Sequence, residues 1–279
     1  MPHAKTGYLL ETARSHRHGV GAFNVITLEH AEAVVLGAER ARRPVIVQIS
    51  ENAIAFHAGA AAPIAAACLE LARAASVPVA LHLDHVKQRR LIDGSEKSGV
   101  SSVMFDASEL PYDQNVAATR EVVHWARAHG VHVEAELGEV GGKDGAHAPG
   151  ARTDPGEAAD FVARTCVDSL AVAVGSSHAM RDQTAALDLP LIADLAAAVS
   201  VPLVLHGSSG VSDESLREAV AAGMVKINIG TALNIAYTRS VRTALEDPAV
   251  IDPRSFLTEA RESMAARVEH LLGVVALQK

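Results

Sequence analysis

Aromatic side chains are scarce: they make up 3% of the 279 residues, against 49% hydrophobic residues overall. The core must therefore be assembled from Ala, Val, Leu and Ile. Cysteine is scarcer still. Cys68 and Cys166 are too few for a disulfide framework, and both fall in Ala-rich helical stretches that read as sites for buried free thiols. Runs of basic residues are missing, and 25 basic against 33 acidic side chains leave a net charge of −8. That balance argues against nucleic acid and against a membrane surface as partners. An anionic ligand would have to be attracted locally, by a metal, a helix N-terminus or a few placed side chains. No long hydrophobic run exists either. The most apolar region, 58–75, is interrupted by Pro63, Glu70 and Arg73, so it does not span a bilayer. The N-terminal segment lacks the continuous apolar stretch of a secretory signal. A reducing, cytoplasmic setting is the expectation.

What is present is a rhythm. Eight short runs rich in Val, Ile and Leu stand between turn signals: 22–26, 45–50, 79–85, 102–108, 131–138, 169–177, 203–209 and 225–231. Helical patterns separate them, for example over 28–43, 115–130 and 213–223, the last with Ser212 as N-cap and Gly223 as its stop. Strand–helix alternation of this kind predicts βαβ units and a parallel sheet. Ser-Val-Pro precedes the third and the seventh run, a faint internal echo. Eight such units in this length predict a (β/α)8 TIM barrel, one domain over 1–279 with a C-terminal helical extension after residue 245. A doubly wound open sheet is the alternative, but no Gly-x-Gly-x-x-Gly follows the first run.

Polar residues gather at the ends of these runs. Asn24, Ser50, Asp84 and His85, Asp106, Glu134 and Glu136, His178, His206 and Lys226 to Thr231 occupy the eight in turn. In a barrel those ends share one rim, where catalytic residues of this fold sit. Buried polar groups are costly without partners, which makes packing a poor explanation for all eight. Three of the fourteen histidines, His85, His178 and His206, form a candidate zinc site, because three imidazoles and an open position describe catalytic zinc. His82 competes with His85, since the two straddle the pleat. The other histidines read as surface or structural. HGSSG (206–210) and NIGT (228–231) are small-residue turns after the seventh and eighth runs, where barrels often bind phosphate. Gly207 and Gly210 would let the backbone approach an anion, and Ser209 and Thr231 would donate. A Gly-rich loop over 138–155 has the makings of a lid and carries Glu139, Lys143 and Asp144.

AFN (22–24), HLDH (82–85), SVMFDAS (102–108), VEAELG (133–138), AVGSSH (173–178), LVLHGSSG (203–210) and KINIGT (226–231) together resemble the motifs of the class II, zinc-dependent ketose-bisphosphate aldolases, in their order and spacing. The resemblance is closest to the fructose-bisphosphate and tagatose-bisphosphate branch. It implies that His85, His178 and His206 bind one catalytic Zn2+ and that Asp84 is the acid/base on the hydroxyl of the bond being broken. Asn24 joins the catalytic set, and Asp144 is the best match for the base on the ketone side, with Glu139 as the alternative. Glu136 and Asp106 resemble alternate metal positions. The dihydroxyacetone-phosphate site would comprise Ser50, Ala179, Gly207, Ser208, Ser209, Asn228, Ile229, Gly230 and Thr231, with Na+ or K+ nearby. Arg254 resembles an arginine that reaches a distal phosphate from a neighbouring subunit, in a homodimer or homotetramer.

Two positions depart from the family pattern: Ala179 replaces a usual Gly, and Asn234 replaces a usual Lys or Arg. The expected reaction is reversible cleavage of a phosphorylated sugar, fructose 1,6-bisphosphate or tagatose 1,6-bisphosphate, to dihydroxyacetone phosphate and an aldehyde. The alternatives are the same chemistry on a phosphorylated deoxy-keto acid from inositol catabolism, a metal-dependent barrel hydrolase, or a non-catalytic accessory subunit. A Schiff-base aldolase would have only Lys226 to use.

Overall fold

The computed structural model of this chain describes residues 3–137, 152–177, 180 and 182–278. Its strands are β1 (Val20–Asn24), β2 (Val45–Ser50), β3 (Val79–Val86), β4 (Ser102–Phe105), β5 (His132–Leu137), β6 (Ser169–Val172), β7 (Leu203–Leu205) and β8 (Met224–Ile229). Its helices are α1 (Thr6–Ser15), α2 (Leu28–Ala41), α3 (Glu51–Phe56), α4 (Ala62–Ala74), α5 (Arg89–Asp93), α6 (Tyr112–His129), α7 (Pro155–Thr165), α8 (Leu189–Ala198), α9 (Asp213–Ala222), α10 (Thr231–Ala244) and α11 (Pro253–Val275). The strands run parallel in chain order and close into a barrel, with β8 paired back to β1 through Ala22 and Asn228. The open-sheet alternative is thereby excluded. β4, β6 and β7 end earlier than the β-rich runs do, because their last polar residues leave the ladder to form the rim.

Side-chain parity along the strands divides the interior into two cores. Val45, Val47 and Ile49 of β2, with Val79, Leu81 and Leu83 of β3, face the helices and join Phe23, Phe161 and Ile227 in the large outer core. The alternate positions fill the barrel. At its N-terminal end they are apolar: Val20, Ala22, Ile46 and Ala80 pack against Leu9, Leu10 and Ala13, joined by Val225 at the irregularity in the β7–β8 ladder. Helix α1 therefore plugs the bottom of the barrel, a role that nothing in its sequence announces. Higher up, the interior becomes polar. This is why the strands look apolar at one parity and mixed at the other.

Ser212 caps α9, its Oγ accepting from the Ser215 amide at 3.2 Å, and Gly223 ends that helix at φ 130°. The C-terminal helix α11 packs against α2 and α10. The approach is close: a Cβ on Gly37 would lie 2.6 Å from the Ala265 carbonyl oxygen. Cys68 is buried, and burial pushes its thiol up to about 12. Cys166 corrects the expectation of two buried thiols. It is the residue after α7, takes a left-handed φ of 56°, and is exposed. Among the described residues, no helix is long and apolar enough to cross a membrane.

Candidate active site

A cavity of about 490 Å³ opens at the C-terminal end of the strands, lined by residues from β1, β2, β3, β8 and the loops that follow β4, β6 and β7. Its floor is a chain of amides that ends on one carboxylate. Gln48 Nε2 donates to Asn24 Oδ1 at 2.8 Å, and Asn24 Nδ2 donates to Asp84 Oδ2 at 2.8 Å. Asn228 Nδ2 reaches Asp84 Oδ1 at 3.5 Å, while its own buried Oδ1 has no hydrogen-bond partner among the described residues. Burial alone would raise the Asp84 carboxyl. The charges of His85, His206 and Lys226 and the Asn24 amide outweigh it and hold the group below the ordinary aspartate range.

Asp84 and His85 are consecutive, so a regular strand would send them to opposite faces. The ladder between β3 and β4 shifts register between Leu83 and Val86. His85 adopts a left-handed φ of 51° within this bulge. The local kink turns both side chains into the mouth of the barrel. It also changes the relation between His82 and His85, which the pleat alone would separate. His82 lies inside the barrel, hydrogen-bonded to Ser102 Oγ at 2.7 Å, and His85 stands above it at the rim.

His85 and His206 meet with Nε2 and Nδ1 at 3.0 Å. Each ring's other nitrogen faces a carboxylate: His85 Nδ1 lies 3.0 Å from Asp106 Oδ2, and His206 Nε2 lies 2.9 Å from Glu134 Oε1. A carboxylate only accepts, so each outer nitrogen carries a proton, and on a neutral ring the inner nitrogen then presents a lone pair. Two lone pairs aimed at one point suit a cation. Asp84, His85 and His206 each place one ligand atom within 4.8 Å of the others, and so do His85, Asp106 and Glu136. Glu136 Oε2 is 3.8 Å from His85 Nδ1. Ser108 steadies Asp106 by donating its hydroxyl to Oδ1 at 2.7 Å. His178, the third imidazole of the sequence-based set, lies outside the described residues, as do Ala179, Glu139, Lys143 and Asp144.

On the other side of the cavity, the turn after β7 and the start of α10 face each other. Gly207, Ser208, Ser209, Gly230 and Thr231 line the space, with Ser50 across from them. Gly207 has a φ of 67°, and a Cβ there would lie 2.5 Å from the Ser177 carbonyl carbon. Only glycine permits that backbone path. Ser209 Oγ accepts from the Ala232 amide at 3.1 Å, tying the turn to the first residues of α10. Ser208 Oγ donates to the Asn228 carbonyl. Ser50 Oγ accepts from the Ala53 amide and caps α3. Asn234, one turn into α10, also lines the cavity.

Some sequence-based candidates fall elsewhere. The Ile229 side chain packs in the outer core, not in the cavity. Arg254 is exposed at the start of α11, bound to Asp252, and does not line the cavity. Lys226 is not at the rim but fully buried beneath it, 2.7 Å from Glu134 Oε2. His30 and His132, grouped with surface or structural histidines from the sequence, are largely enclosed, and burial lowers both below the ordinary histidine value. Sequence reading noted Glu134 without giving it a role. Its parity with Glu136 on β5, and that of Lys226 with Asn228 on β8, was the signal that all four point inward.

Comparison with known proteins places this geometry. The family profile described as fructose-bisphosphate aldolase class-II matches residues 4–278. A 6-phospho-5-dehydro-2-deoxy-D-gluconate aldolase from Shouchella clausii is 39% identical over 264 residues, 94% of this chain and 90% of that protein. A protein of the same name from Bacillus licheniformis is 36% identical over 94% of this chain and 91% of its own length. Among solved structures, the YdjI aldolase of Escherichia coli K12 superposes with a TM-score of 0.86 at 31% identity, covering 99% of both chains. Fructose-bisphosphate aldolase from Campylobacter jejuni gives 0.81 at 26% identity, over 96% of this chain and 93% of that one.

Proposed function

This chain belongs to the class-II fructose-bisphosphate aldolase family, and from that premise we propose that it cleaves 6-phospho-5-dehydro-2-deoxy-D-gluconate. The observation that carries this choice is the pair of relatives of that name, each matched over more than nine-tenths of this chain. It favours the deoxy-keto acid over the bisphosphates that the motifs alone put first. The chemistry of the cavity is compatible with it. Such a substrate carries a phosphate beside its ketone and a carboxylate at the far end. Asn234 offers a neutral amide where a second phosphate would call for a cation.

The named compound dictates the step. The ketone is at C5, so the bond between C3 and C4 breaks. C4 to C6 leave as dihydroxyacetone phosphate, and C1 to C3 leave as 3-oxopropanoate. Asp84, held ionised at the end of the Gln48–Asn24 relay, takes the proton of the C3 hydroxyl as the electron pair passes to the ketone half. His85 Nε2, His206 Nδ1 and His178 would hold a divalent cation, zinc being usual in this family. Bound there, it supplies Lewis-acid stabilisation of the charge that develops on the ketone half. The turn at Gly207–Ser209 and the start of α10 bind the phosphate through backbone N–H groups and the Thr231 hydroxyl, with Na+ or K+ beside it. Binding energy at this remote group fixes the orientation of the reacting bond. The lid residue Asp144 serves as base on the ketone side. The whole chain works as one barrel domain in a cytoplasmic homodimer or homotetramer, where Arg254 contacts substrate only across the subunit boundary.

The test couples cleavage of this compound, fructose 1,6-bisphosphate and tagatose 1,6-bisphosphate to detection of dihydroxyacetone phosphate, with EDTA and zinc add-back. The expected result is the highest kcat/KM for the deoxy-keto acid, abolished by EDTA and restored by zinc. A higher kcat/KM for either bisphosphate would overturn the substrate. Turnover indifferent to EDTA would overturn the metal mechanism.

A further inference from the structure

Directly beneath the two facing imidazoles lies a buried ion pair with no contact to the cavity. Glu134 and Lys226 are both fully enclosed within the barrel, on β5 and β8. Glu134 Oε2 takes the Lys226 ammonium at 2.7 Å, and Oε1 takes His206 Nε2–H at 2.9 Å. Lys226 Nζ also lies 3.4 Å from His82 Nε2. Stability is a weak reason for such a pair, since well-packed apolar residues in its place are often as stable or more so. Its geometry supplies a better one. Lysine only donates and carboxylate only accepts. With one oxygen held by Lys226, the carboxylate cannot swing away, and its other oxygen admits only a protonated Nε2 on His206.

We propose that Glu134 and Lys226 are positioning residues that lock His206 in the Nε2–H tautomer and thereby set the cation affinity of the site. This rests on the reading of His206 as a cation ligand. Glu134→Gln preserves shape but reverses polarity. Lys226 claims the amide oxygen, the NH2 group turns toward His206 Nε2, and the ring proton must move to Nδ1, where it blocks the cation. Removing the lysine as well, in Glu134→Gln/Lys226→Met, frees the amide to turn its oxygen back to His206.

The experiment measures zinc affinity by competition with a chromophoric chelator, starting from chelator-stripped protein. Glu134→Gln should weaken zinc about 10- to 100-fold, the usual range for loss of an outer-shell partner. The double variant should recover at least half of that loss on a logarithmic scale, a rescue that mere damage to packing would not give. Zinc affinity in Glu134→Gln within threefold of wild type, or a double variant no better than the single one, overturns the proposal. Nitrogen NMR of zinc-free wild type decides independently of any variant. A proton on His206 Nε2 is expected, and an Nε2 without one overturns the lock. His206→Ala separates the two readings: unchanged zinc affinity there would show that His206 is no ligand, whereas lost affinity there with an indifferent Glu134→Gln would sink the positioning pair alone.

Discussion

Replacing Asp84 by Asn should remove the chemistry and spare the site. The carboxylate accepts from Asn24 Nδ2 at 2.8 Å and, more weakly, from Asn228 Nδ2 at 3.5 Å. An amide at this position can keep the first bond with its oxygen. Its NH2 then faces Asn228, whose Oδ1 has no hydrogen-bond partner among the described residues and can accept once that amide turns over. The net cost is about one ordinary hydrogen bond, roughly 1 kcal/mol. Catalysis suffers more, because the variant cannot carry the hydroxyl proton. General acid–base groups contribute about 10²–10⁴ in rate, which is about 3 to 5 kcal/mol of barrier. The assay is steady-state cleavage beside zinc content and thermal unfolding of the same preparation. The expected pattern is kcat down by about two to four orders of magnitude, KM within a few-fold, and full zinc occupancy. Exchange of the dihydroxyacetone-phosphate C–H with solvent, assigned to Asp144, should persist. A kcat within a factor of about five of wild type would refute the assignment, since no group that supplies 10² can be lost so cheaply.

Two further outcomes follow from the same geometry. Gly207→Ala places a Cβ 2.5 Å from the Ser177 carbonyl oxygen at a φ of 67°, where a left-handed alanine costs about 1–2 kcal/mol before any clash. KM for the phosphorylated substrate should rise about tenfold or more through loss of cradle contacts, and a KM within twofold of wild type would remove the cradle role. Chelator-stripped protein should lose thermal stability on acidification from pH 7.5 to 5.5. Burial holds folded His82 and His132 below the ordinary value of 6.5, so unfolded chains take up protons that folded ones refuse. The loss sets in as pH falls through that value. It continues as Asp84 and Glu134, held below their ordinary values, are protonated at lower pH still. A midpoint that stays flat over this range in calorimetry would contradict the burial of those rings.

The repeat of apolar runs exposed the barrel because a strand covered by helices must be apolar at alternate positions whatever the function. The rim residues were visible for the opposite reason: Asp84, Asp106 and His206 interrupt those runs where packing would not place a charge. What escaped was the interior below the rim. Glu134 and Lys226 are paired across the barrel, 92 residues apart in sequence, and a pairing rule along the chain cannot find them. Helix α1 escaped because its task, closing the bottom of the barrel against Ile46 and Ala80, requires only a few apolar side chains. The side to which His85 points was hidden as well, since alternation assumes a regular ladder and the register of β3 breaks two residues before the strand ends.

That break bears on how such an enzyme could be rebuilt or could diverge. An idealised barrel would contain no non-glycine residue at positive φ, and a designer who straightened β3 would improve the scaffold while parting Asp84 from His85 by the thickness of the wall. The same holds for a lineage under selection for stability alone. Relaxing His85 from its φ of 51° would recover about 1–2 kcal/mol and, under the roles proposed for Asp84 and His85, forfeit the reaction. The bulge is therefore held by the packing and pairing of the residues around it and not by Asp84 and His85 alone, and a sequence can retain both and still lose it.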